Sequence, residues 1–162
     1  VMGLWATTLL ALAQPLPAII CVEKDENGDC VFDYSRKPAN RVHALDRERV
    51  TELYYSYFLC YYERLTSDER FGTRDGKAAI AAMNSASSDC AEMRVAAEAE
   101  VDQYLADTKI YGDSENRKKV SELFRHEMGG FFVYTTARMN NRGGEFETMA
   151  DAITEELLAP ND

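Results

Sequence analysis

The sequence predicts an all-α fold: a small antiparallel four-helix bundle, stabilised by disulfides and preceded by a short β-hairpin or extended N-terminal segment. Three observations lead there. From Leu45 onward, apolar residues recur at three- and four-residue steps in four successive segments, the spacing of one helical face. The connections between those segments are short enough for antiparallel neighbours. Two of the four cysteines fall on the first two predicted helices, where a bridge would tie one to the other.

Residues 1–18 read as a signal-peptide-like segment. Met2 to Ala13 is an unbroken run of apolar and small residues, and Ala11-Leu12-Ala13 fits the small-x-small pattern of a cleavage site. No Lys or Arg precedes the run and the chain opens on Val, so the segment is expected to lack its own beginning. The rival is a membrane anchor, but Pro15 and Pro17 interrupt the run before about 20 apolar residues have accumulated. No stable membrane span is therefore expected in the mature form.

Residues 19–40 form an N-terminal hairpin and linker. Ile19 to Val22 and Cys30 to Tyr34 read as short strands around Asn27-Gly28, a pair that tolerates the positive φ of a tight turn. The same stretch resembles a calcium loop only in part. Glu23, Asp25, Asn27, Gly28 and Asp29 stand at positions one, three, five, six and seven, but position twelve is Tyr34 where a bidentate Glu is needed. Turns collect Asp, Asn and Gly for backbone reasons alone. Ser35 to Asn40 is the linker.

Residues 41–158 make the helical domain, with 159–162 as a tail. The first helix is expected from about Leu45 to Leu65, with Val50, Leu53, Tyr54, Tyr57, Phe58, Tyr61 and Leu65 inward. The second lies between about Gly76 and Asp107 and carries Cys90, Met93, Ala97, Val101, Tyr104 and Leu105 on its stripe. Asn84 to Asp89 is a candidate break, with Asp89 and Glu92 spaced as a capping box. The third begins near Ser114 and presents Val120, Leu123, Phe124, Met128, Phe131 and Thr135. The fourth, about Glu145 to Leu158, presents Phe146, Met149, Ile153 and Leu157 with acids opposite.

Apolar residues make up 46% of the 162, too many for a disordered chain. Lys and Arg number 18 against 28 Asp and Glu, a net charge of −10, which disfavours nucleic acid and anionic membrane as partners. Basic residues gather between Arg36 and Arg49, and acids dominate from Glu145 to the end. In an oxidising compartment, Cys21, Cys30, Cys60 and Cys90 read as two disulfides, expected as Cys21–Cys30 across the turn and Cys60–Cys90 between helices. No Cys-x-x-Cys is present, which argues against a zinc ribbon or a thioredoxin-type site.

The remaining chemistry is sparse. His126-Glu127 begins a zinc-protease helix motif, but the position that needs the second His is Gly130. The Gly pair instead suits close helix packing or a kink, and Glu127, which projects near the apolar face close to Arg138 some three turns later, is expected to pair with a basic group across the bundle. Tyr54 to Tyr62 holds six aromatics in nine residues. One face serves the core; Tyr55, Leu59 and Tyr62 project to a second side and are the candidate partner-binding residues, since Tyr suits an interface with one wet end.

No residue is assigned a catalytic, metal-binding or cofactor-binding role. The expectation is an exported protein, periplasmic or extracellular, that acts by binding another protein. It would serve as an inhibitor, an immunity-type factor or an accessory subunit of an envelope or extracellular assembly, and a homodimer is compatible with it. The alternatives are a hydrolase with a dispersed carboxylate site, with Glu127 as its candidate, and a small-molecule carrier with an apolar cavity among the helices.

Overall fold

The computed structural model describes residues 38–159 and, before them, one short strand pair. The chain divides into two units, Val1–Asp33 and Tyr34–Asp162. In the first, β1 (Glu23–Lys24) pairs antiparallel with β2 (Cys30–Val31), Glu23 opposite Val31 and Lys24 opposite Cys30. The strand expected over 19–22, the Asn27-Gly28 turn and the signal-like segment lie outside the described residues, as do the linker before Pro38 and the tail after Ala159.

The second unit is helical, with five helices among the described residues where four were expected. They are α1 (Arg47–Ser67), α2 (Gly76–Asp89), α3 (Ala91–Thr108), α4 (Ser114–Met139) and α5 (Gly143–Leu158). The added element comes from a division of the expected second helix at Cys90, whose φ of −101° and ψ of 16° end α2 and begin α3. Asn84, Ser85, Ser87, Ser88 and Asp89 precede that point, and their side chains compete with helical backbone bonds. The expected Asp89–Glu92 capping box is not formed: Asp89 belongs to α2 and Cys90 at the cap gives no side-chain bond.

Two of the other starts are capped as their sequences dictate. The Asp75 carboxylate accepts from the Ala78 N–H and the Asp113 carboxylate from the Asn116 N–H. Asp46, before α1, is used differently. It accepts the hydroxyls of Tyr104, at 2.8 Å, and of Tyr111, and so fastens the start of α1 to the end of α3 and the connection that follows.

The core has two layers along the long axis of α1. At one end Val50, Tyr54 and Phe58 of α1 meet Ala97, Val101 and Leu105 of α3 and Val120 and Phe124 of α4. At the other end Tyr62 and Leu65 meet Ala79, Ala82 and Ala86 of α2, Val133 and Ala137 of α4, and Met149 of α5. The first layer is closed by three helices and the second by four. Cys60 and Cys90 are joined, with Cα atoms 6.1 Å apart, so the disulfide pins α1 to the α2–α3 junction between the layers. Among the described residues no helix is long and apolar enough to cross a membrane.

Helix α4 passes from the first layer to the second, and its buried face changes on the way. Val120, Ser121 and Phe124 are buried in its first half, Val133 and Ala137 in its second. Leu123 and Phe131, expected inside, are 38% and 60% exposed. Met93 of α3 and Leu157 of α5 were also expected inside and stand in solvent.

Candidate functional site

The residues expected to meet a partner do not share one surface. Tyr55 is 52% exposed, with its ring edge-on to Phe132 at 5.8 Å between centroids. Leu59 is half-buried. Tyr62 is a core residue: 8% of it is exposed, and its hydroxyl accepts a 2.7 Å hydrogen bond from the Asn140 side chain. The turn after α4 covers Tyr62, which a helical projection of α1 alone does not reveal.

Of the cysteines, Cys60 and Cys90 form the disulfide described above. Cys30 sits in β2, while Cys21 and its expected bridge to Cys30 lie outside the described residues. Glu127 is exposed and stands 3.8 Å from Arg41, not beside Arg138, whose guanidinium lies over the Tyr134 ring. The hollow beside Glu127 measures about 10 Å³, too small for a substrate. Among the described residues no group of three His, Cys, Asp or Glu could hold a metal ion.

A cleft of about 400 Å³ lies where the two core layers meet, and a larger hollow of about 570 Å³ between α3 and α4 is lined mostly by charged and small polar residues. The cleft draws on four helices. Helix α1 supplies Tyr57, Phe58, Tyr61 and Leu65, and α2 supplies Met83, Asn84 and Ser87. Helix α4 supplies Arg125, His126, Gly129, Gly130 and Val133; α5 closes the far side with Phe146, Met149, Ala150 and Ile153. The cleft exists because α3 has left the four-helix layer and Gly129-Gly130 put no side chain into the space. A Cβ on Gly129 would touch the Phe58 ring at 3.4 Å, whereas one on Gly130 would meet nothing within 4 Å. The Gly pair, expected to aid packing, thus does so at Gly129 and opens a floor at Gly130.

The walls are mainly aromatic and aliphatic, with a few polar groups from three helices, the usual make-up of a small-molecule site. Burial, and after it the neighbouring Tyr57, pushes the Tyr61 phenol up to about 12, so it stays a neutral donor in ordinary buffers. Arg125 enters the cleft wall from α4 with its side chain only 13% exposed. Its Nε lies 3.3 Å from Glu98 Oε1, without the alignment of a hydrogen bond. Arg94 Nη1 donates to that same oxygen at 3.3 Å. One carboxylate therefore serves two guanidiniums.

The sequence reading offered an apolar cavity among the helices as an alternative but assigned it no residues. The available signal was Arg125, a charged residue one position from Phe124 and four before Gly129, on a helix whose opposite neighbours are aromatic. Comparison with known proteins adds nothing to this geometry: no family model, no curated protein and no solved structure matches the chain.

Proposed function

We propose that the protein is an exported binding protein, periplasmic or extracellular, that holds a small apolar molecule in the cleft between α1, α2, α4 and α5. The carrying observation is the cleft itself: about 400 Å³, walled by Phe58, Phe146, Met149 and Ile153, with polar groups at Tyr61, Asn84, Ser87 and Arg125. In this reading the scaffold is a four-helix bundle in which α2 and α3 act as one bent member, with a hairpin around Asn27-Gly28 ahead of it. The Cys60–Cys90 bridge suits an oxidising compartment.

Binding follows from desolvation. A ligand that covered about 250 Å² of apolar surface here would gain roughly 6 kcal/mol before immobilisation costs. That alone corresponds to tens of micromolar at best, so tighter binding needs a polar anchor. Among the described residues no Asp or Glu lines the cleft, and Glu127 is elsewhere on the surface, so the geometry supports holding a molecule over hydrolysing one.

N-phenyl-1-naphthylamine, a neutral fluorescent probe of apolar sites, tests the reading. The wild-type protein is expected to bind it saturably at one site, and Gly130→Leu, which places a side chain in the open floor, to weaken it tenfold or more. The helix should tolerate that change, since Leu favours helix over Gly by several tenths of a kcal/mol. Unsaturable binding in the wild type, or full binding in Gly130→Leu, would contradict the proposal.

A second reading, recognition of a protein partner, keeps one observation in its favour. Tyr55 is 52% exposed, and Phe131, beside the Phe132 that Tyr55 touches, is 60% exposed. Tyr55→Ala with Leu59→Ala should then abolish co-purification of a stoichiometric protein from the native host. Unchanged capture would exclude that face.

A further inference from the structure

We infer that the molecule held in the cleft is an anion, an apolar monocarboxylic acid whose carboxylate is received by Arg125. This rests on the reading of the cleft as a ligand site and adds the charge of the ligand to it. The chain carries 28 acidic residues among 162, yet among the described residues no Asp or Glu lines this cleft, while Arg125 does. A wall that holds a cation and no acid favours negative ligands.

The charge on Arg125 is not cancelled from behind. Glu98 is its only acidic neighbour within ion-pair distance among the described residues, and Arg94 shares that carboxylate, which leaves the three groups with one net positive charge. Arg125 donates no hydrogen bond to any described residue. Its Nε is buried and unpaired. A largely buried guanidinium with one ion-pair neighbour and no hydrogen bond to a described residue suits a carboxylate. Phe58, Phe146 and Met149 take the apolar body.

Calorimetric titration of the full chain with sodium octanoate and with 1-octanol, which share one alkyl chain, separates the two claims. Octanoate is expected to bind at least tenfold tighter than octanol, the difference a charge-assisted bond makes. In Arg125→Gln the preference should vanish while octanol affinity stays within twofold. Arg125→Lys, which keeps the charge but loses the fork, should keep part of the preference. Equal affinity for the two probes in the wild type, or a preference that survives Arg125→Gln, would overturn the anion assignment and leave the cleft reading standing. Failure of both probes to bind would overturn both. A dimer in analytical ultracentrifugation that octanoate leaves intact, with the cleft filled by a second copy, would also overturn both.

Discussion

Tyr61 shows what burial does to a phenol on the wall of a cleft. An unfolded Tyr loses its proton near pH 10, and Tyr61, through burial first and Tyr57 second, does so at about 12. The folded state binds this proton more tightly, so its contribution is fully present below pH 10 and is lost as pH rises from 10 to 12. Two pKa steps are worth roughly 2–3 kcal/mol. We predict that melting temperature falls more steeply between pH 10 and 12 in the wild type than in Tyr61→Phe. Parallel curves would show that Tyr61 titrates as an ordinary surface phenol. At this scale the sequence was legible only to within one step of the helix. Tyr61 and Tyr62 lie 100° apart on α1, and the residue expected outside, Tyr62, is the one that Asn140 and the turn after α4 bury.

The helices themselves were legible from periodicity, and so was the Cys60–Cys90 bridge. Their ends and their number were less so. The polar run over Asn84–Asp89 marked the break between α2 and α3, but the division falls at Cys90, the residue the disulfide holds. Helix α4 failed a single-stripe reading for a physical reason: one helix packs on α3 first and α5 later, so no single face is inside throughout. A window average cannot see a buried face that moves. The disulfide is the element-level clamp, closing a separation of 30 residues. Replacing both cysteines by Ala should cost about 3–4 kcal/mol and lower the melting temperature by roughly 10 °C. A melting temperature within about 2 °C of the wild type would mean that packing alone sets the junction.

Over the whole molecule, composition set two expectations. A net charge of −10 disfavours nucleic acid, and four cysteines point to an oxidising compartment, with which the observed Cys60–Cys90 bridge agrees. The cleft was not legible because four helices build it, none of them contributing a motif. Three of them supply two polar residues each beside ordinary core ones, α5 supplies only apolar ones, and only their assembly leaves a space.

Methionine methyl groups give the most direct test of that cleft. The chain has six methionines, and among the described residues Met83 and Met149 are the two that line it. In a ¹³C-methyl spectrum titrated with N-phenyl-1-naphthylamine, the Met83 and Met149 signals should shift together and saturate, with Met93 and Met139 unmoved. Shifts confined to Met93 or Met139, or none at all, would contradict a ligand site between α1, α2, α4 and α5.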